Sequence, residues 1–367
     1  VCICRNSSCT GNVAFPLCFE PIKFASTNSS IDITGIAAPT TSPVNAKSPQ
    51  ALYNSWQLTT RHNAETGKHQ LVLTQNGEEK IVKQSTSQTE IIQLKALFKP
   101  NNATQFDSQQ AKNGNCFVLA SLQDYMVTGK NVEQLIAATG YDETKGVYTM
   151  SYDTGTGKRN TYTMSEQQLA TAGNDKTVAY STTHQRLLAL VDKTMLAAIA
   201  DSGETPAGEK VNSKNRYDVN SLAEGGLSNF LPELLDANTT AKLYVRNGAS
   251  LTAAEIDEHG EFTDSVDTTT ANRIVNPKQS LTVADIATLY NQDTSQQITL
   301  DIAPANAKRI TKTLKDKGIR DEHSYTLLSV DKEAGTITVL NPWDAKKPIT
   351  LTASEVVFDC ATVTKVG

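Results

Sequence analysis

"QQAKNGNCFVLASLQDYMVTG", residues 109–129, sets one cysteine between an Asn-Gly-Asn run and a helical pattern. Val118, Leu119, Leu122 and Met126 share one face at helical spacing, and Gly129 closes the run. The spacing predicts an amphipathic helix over 116–128. A structural cysteine usually sits inside an apolar stripe. Cys116 stands at the stripe's beginning, where a helix has unpaired N–H groups and the positive end of its dipole. Such a position favours the thiolate, and a neighbouring imidazolium would favour it more. With Asn115 as the cap, the Cys116 N–H points at whatever the sulfur attacks. Gln110, six residues upstream, can aim a side-chain amide at the same oxygen. Two such donors make an oxyanion hole, and losing one costs ~10²–10³ in rate.

Two further stretches supply what a thiol nucleophile needs. His323 stands at the mouth of an alternating strand in "EHSYTLLSV", and Asn341 at the far end of the next in "GTITVLNPWD". The turn 331–335 makes the two a hairpin. Symmetric pairing sets Asn341 opposite residues 325–326, and a bulge or slip would bring it level with His323. The Asn341 oxygen can then accept the imidazole N–H and fix its tautomer, with Trp343 placed to cover that bond. Singly, each residue has an ordinary structural explanation. Their occurrence together, each in suitable local structure, favours a Cys116–His323–Asn341 site. His62, His69, His184 and His259 lie in polar contexts and read as solvated.

The chain has 367 residues, enough for one large domain or two medium ones, and a net charge of −5. No basic field points to nucleic acid, and no apolar run is long enough for a membrane span. Of six cysteines, Cys2, Cys4, Cys9 and Cys18 crowd the N-terminus, with poor zinc spacing. A disulfide pair and free thiols both stay open for them, as does a bridge from Cys116 to Cys360 or to the tail.

Residues 1–50 are rich in Ser, Thr, Asn and Pro and read as a disordered or extended tail. Residues 51–98 read as a small β-hairpin element, turning at Asn76-Gly77, with a short capped helix. Helical patterns dominate 99–235, and strand patterns dominate 236–367. Residues 246–280 show no clear periodicity. The fold class expected is α+β.

At the motifs, the chain resembles the calpain family of cysteine proteases. "QAKNGNCFVLAS" is similar to the family's signature around the catalytic cysteine, "HSYTLLSV" to its histidine stretch, and "LNPWD" to its Asn-Pro-Trp stretch, in the family's order. Weaker similarity runs through 146–171 and 187–199, and Gly225-Gly226 matches a Gly-Gly that lines the family's substrate cleft. The resemblance spans about residues 100–352. It implies a papain-like two-lobe core: a helical lobe with Cys116, a β lobe with His323 and Asn341, and a cleft between them. It implies endopeptidase action on a protein or peptide substrate, with Gln110 and the Cys116 N–H as oxyanion hole.

Phe117 replaces the family's Trp after the cysteine, and Asp344 replaces the Gly after Asn-Pro-Trp. The family's acidic calcium loops and EF-hands are not recognisable. Asp192 alone matches one calcium ligand, with an ordinary helix surface charge as the alternative. No cofactor or metal is therefore expected, and calcium control is not supported. The chain is most similar to a minimal bacterial-type member, in the manner of an exported or injected effector. The same triad also suits a deamidase or acyltransferase, and a binding module that has lost turnover is the non-enzymatic alternative.

Overall fold

The computed structural model describes residues 48–111, 114–154, 158–173, 178–206, 210–211, 225–263, 265–267, 270, 279–292, 296–302 and 309–366. Most of the expected tail, with Cys2, Cys4, Cys9 and Cys18, lies outside these residues. A boundary at residue 50 would cut helix α1 (Pro49–Tyr53), whose cap Ser48 accepts the Ala51 N–H. Next come strands β1 (Trp56–Asn63), β2 (Lys68–Gln75) and β3 (Glu78–Ser85), then α2 (Gln88–Phe98). They form a three-stranded antiparallel sheet rather than one hairpin. Asn76 and Gly77 turn with φ of 54° and 83°, the left-handed pair that a tight hairpin requires.

The Cys116 helix follows. Its α-helical part, α3 (Cys116–Gln123), runs into a π-helical turn at Asp124–Thr128, and Gly129 ends it with φ 73°. The helix is not amphipathic in place, because every residue from Cys116 to Thr128 is buried. Its polar side chains satisfy this burial by hydrogen bonding. Ser121 donates to the Ser228 carbonyl, and Thr128 donates to the Asp124 carboxylate.

Helix α4 (Val132–Ala138) leads into a second three-stranded antiparallel sheet, β4 (Thr139–Asp142), β5 (Val147–Asp153) and β6 (Arg159–Ser165). Helices α5 (Glu166–Gly173), α6 (Gln185–Ser202) and α7 (Phe230–Leu235) complete this half. The rest is mostly strand: β7 (Thr240–Asn247), β8 (Ser250–Ile256), helix α8 (Val283–Gln292), β9 (Gln297–Ile302), helix α9 (Lys312–Lys317), β10 (His323–Asp331), β11 (Thr336–Asn341), β12 (Asp344–Thr352) and β13 (Cys360–Lys365). Strand β8 lies in the stretch expected to lack periodicity. It is an edge strand with one wet face, and its Ser-Leu-Thr-Ala-Ala sequence gives little contrast between faces.

The seven strands β7–β13 form one antiparallel sheet in the order β12-β11-β10-β9-β13-β7-β8. The fold class is α+β. One apolar cluster joins the N-terminal sheet, α2–α7 and the second small sheet, and takes in Leu328 and Leu340 of the large sheet. A second cluster joins the large sheet to α8 and α9 and includes Ile286, Leu314, Leu300, Tyr325, Val339 and Phe358. Polar contacts add to the packing between the Cys116 helix and the sheet. Thr326 of β10 donates to the Ala120 carbonyl at 2.7 Å and to Gln123 at 3.2 Å. The Ile298 N–H donates to Asp124 at 3.3 Å.

Candidate active site

Strand register brings His323 and Asn341 together. The β10–β11 ladder pairs Thr326 with Leu340 and Leu327 with Val339, then shifts by a bulge before Ser329 pairs with Thr338. Asn341 thus ends β11 diagonally across from His323. The His323 Nε2–H donates to Asn341 Oδ1 at 2.8 Å, with both residues buried. Two other bonds fix the carboxamide. The Trp343 N–H donates to the same Oδ1 at 2.8 Å, and Asn341 Nδ2 donates to the Gly318 carbonyl at 2.7 Å. Flipping the amide would lose both, so Oδ1 faces the imidazole and Nε2 carries the hydrogen. In the neutral ring Nδ1 is then the basic nitrogen. Gly318 caps α9 with φ 99°, so a helix that sequence patterning does not show holds the asparagine.

Trp343 packs edge-on to His323, with ring centroids 5.1 Å apart, and is 45% exposed. The Tyr325 ring also packs edge-on to the imidazole, with ring centroids 5.0 Å apart. Its hydroxyl accepts the Arg320 N–H at 2.7 Å, which anchors the approach to β10.

Cys116 is buried at the first turn of α3. Asn115 holds the cap position, but its side chain makes no capping bond. Its Nδ2 donates instead to Asp192 of α6, at 3.2 Å. Asp192 is therefore not a helix surface charge, because it is buried and ties α6 to the start of the Cys116 helix. The Gly225 N–H donates to the Gly114 carbonyl at 3.4 Å, two residues before the sulfur. A Cβ on Gly226 would fall 2.8 Å from the Phe117 ring. Gly225 and Gly226 thus lie alongside the Cys116 turn.

Gln110 is tied to the third motif, since its N–H donates to the Pro342 carbonyl at 2.9 Å. Two residues earlier, Ser108 accepts from the Ala345 N–H at 3.2 Å. Gln123 of α3 donates to Ser108 Oγ at 3.2 Å and to the Asn341 carbonyl at 3.4 Å. The Gln110, Cys116, His323 and Asn-Pro-Trp stretches therefore converge on one region.

A residue that sequence reading misses completes the cluster. Asp301 is buried on β9, paired with Ser324 and Cys360 on its two neighbouring strands. Ser324 donates to it at 2.5 Å, Thr362 at 3.3 Å, and the Cys360 thiol lies 4.0 Å away. Burial pushes its carboxyl up to about 7. The Ser324 bond pulls the other way, the charge on Cys116 pushes up, and the Thr362 bond and the charge on His323 pull down. Cys116 and His323 thus both act electrostatically on the same carboxylate. The one trace of Asp301 in the sequence is an aspartate inside the otherwise strand-forming "QITLDI".

Cys116 and Cys360 are both buried thiols and form no bridge with each other. No group of three or more His, Cys, Asp or Glu side chains suited to a metal occurs among the described residues. No described helix is long and apolar enough to cross a membrane. His184 is not solvated. It is buried between the Tyr53 and Phe106 rings, with Thr183 at 2.8 Å and Asp107 at 3.9 Å, and burial lowers its pKa. His259 is partly buried, with Nδ1 3.1 Å from the Thr205 carbonyl. His62 and His69 face each other across β1 and β2.

No protein-family model matches the chain, and no curated protein sequence matches it.

Proposed function

We propose that the chain is a cysteine endopeptidase with a papain-like two-lobe core, working as the resemblance to calpain-family proteases implies. The observation that carries this reading is the 2.8 Å bond from His323 Nε2 to an asparagine whose orientation two other bonds fix. A buried histidine needed only for packing requires a partner for its ring N–H, but not one whose own orientation is fixed twice over. A general acid–base gains a fixed tautomer and a fixed ring plane.

The Cys116 thiolate attacks the scissile carbonyl carbon, and the carbonyl π electrons move to oxygen. The Cys116 N–H and the Gln110 amide hold that oxyanion. The intermediate collapses, the C–N bond breaks, and the imidazolium Nδ1–H gives its proton to the departing amine. Water then adds to the thioester carbon, losing a proton to Nδ1; the second oxyanion collapses, the C–S bond breaks, and the acid product leaves the Cys116 thiolate beside the imidazolium. Asn341 positions the ring throughout. Trp343 shields the His323–Asn341 bond from one side, and Gly225-Gly226 line the cleft on the cysteine's side.

The test is mass spectrometry of a protein mixture treated with the full chain. New peptide termini that vanish with Cys116→Ala are expected. Conversion of Gln to Glu side chains without new termini would replace this reading with deamidation. Failure of a thiol-reactive epoxide to label Cys116 would replace it with a binding role. In a cleavage assay His323→Ala lowers kcat/KM by about 10³ or more. Asn341→Ala lowers it less, because an unoriented imidazole still exchanges protons.

A further inference from the structure

Beside His323 and Asn341 an open groove is lined by Lys315, Lys317, Arg320, Trp343, Lys346 and Lys347. Its charged lining comprises five cations against two carboxylates, Asp316 and Asp344, in a chain whose net charge is −5. Much of this charge is paired. Lys317 meets Glu355 at 2.6 Å, Lys347 meets Asp344 at 3.4 Å, and Lys346 meets Asp107 at 3.6 Å. Lys346 and Lys347 also lie on β12, an edge strand, where lysine guards against strand addition.

Arg320 has neither explanation. It lies before β10 and pairs with no carboxylate among the described residues. One guanidinium nitrogen donates to the Lys315 and Ile319 carbonyls, at 2.6 and 3.0 Å. The guanidinium centre sits 5.4 Å from the centroid of the Trp343 ring. Two carbonyls and an indole thus order a long side chain that would otherwise lose its rotamer freedom on binding. A guanidinium held this way matches a carboxylate.

The direction of the substrate follows from the chemistry. The general acid must reach the leaving nitrogen, so the peptide after the scissile bond passes His323. Trp343 and then Arg320 are the next groups on that side. We propose that Arg320 is a specificity-determining residue that selects Asp or Glu among the first residues after the scissile bond. This rests on the endopeptidase reading above.

Two measurements separate the two ideas. The first digests a proteome-derived peptide library and compares acidic with neutral residues after each new cut. Wild type is expected to favour acidic residues by about five- to tenfold, less at high salt, and Arg320→Gln to bring the ratio near one. The second titrates Cys116→Ala protein with acetyl-Ala-Ala-Glu-Glu-Ala-Ala-amide and its Gln counterpart, read by tryptophan fluorescence at low ionic strength. Tighter binding of the Glu peptide, lost on adding Arg320→Gln, is expected. Cleavage without acidic preference, or a preference that Arg320→Gln leaves intact, overturns the Arg320 assignment and leaves the protease standing. Acidic binding without any cleavage sinks the protease and leaves the groove. Equal binding of both peptides overturns the groove.

Discussion

Asp301 puts a titrating carboxyl within electrostatic reach of Cys116 and His323, and under the proposed mechanism the consequence is a one-sided change in pH dependence. Its pKa is held up to about 7, chiefly by burial. Below that pH the carboxyl is protonated and has no charge to impose, so the acid limb of kcat/KM is indifferent to it. Above that pH its negative charge opposes loss of the proton shared by the Cys116–His323 pair and so delays the alkaline limb. Asp301→Asn keeps an oxygen to accept the Ser324 and Thr362 hydroxyls and removes the charge. The expected profile has its alkaline limb moved to lower pH and its acid limb unmoved. A purely structural role would lower the whole curve without moving either limb. The same group acts on stability. Its folded pKa lies above the unfolded value, so its contribution is full below about pH 4 and is lost as pH rises through about 7. The proposed triad is legible in the sequence because each member sits at the end of a periodic element. Asp301 is not, because its importance comes from pairing across two strands far apart in the chain.

Among the elements, the Cys116 helix is the clearest case of a pattern read correctly along the chain and incompletely around it. Spacing marks its start, its length and its Gly129 stop. It does not mark that the helix is enclosed on all sides, because the enclosing partners lie elsewhere in the sequence: Asp124 meets Ile298, and Thr326 meets Ala120. Gly129 shows how tight the enclosure is. A Cβ there would lie 2.6 Å from the Trp56 ring, and the residue has φ 73°. Gly67 has a similar φ of 66° with nothing within 4 Å. Gly67→Ala therefore costs only the left-handed strain, about 1 kcal/mol. Gly129→Ala adds a clash with a buried indole and is expected to cost about 2–4 kcal/mol. Urea denaturation of the two variants checks this, and equal losses would mean that Trp56 yields freely. The Asn76-Gly77 hairpin and the His323 hairpin are legible because turn chemistry and alternation agree. Helix α9, β8 and the 192-to-115 contact are not, since short elements and long-range bonds leave no period to read.

For the molecule as a whole, the N-terminal sheet could be an appended regulatory element or part of the core, and the packing decides. Tyr53, Trp56, Leu58, Leu71 and Leu73 belong to the same apolar cluster as α3 and α6. Lys99, just beyond α2, sits with its Nζ 3.3 Å from the Tyr53 ring centroid and 3.6 Å from that of Trp56. The Trp56 indole N–H donates to the Met126 carbonyl, directly on the Cys116 helix, at 3.2 Å. Burying a large apolar side chain contributes about 1.5–3 kcal/mol. Five of them give roughly 10 kcal/mol, comparable to the whole stability of a typical domain. Removing this sheet would also strip the aromatic cover from Lys99, whose pKa burial lowers to about 6. A fragment spanning residues 87–367 is therefore expected to lack a cooperative thermal transition and to lose stoichiometric labelling of Cys116 by a thiol-reactive epoxide. Near-ultraviolet circular dichroism and probe labelling, against the full chain, test it. A fragment that melts cooperatively and labels as the full chain does would make the sheet an accessory. In that case the core of the proposed protease would be the part from α2 onward, with Trp56 closing a cluster already stable without it.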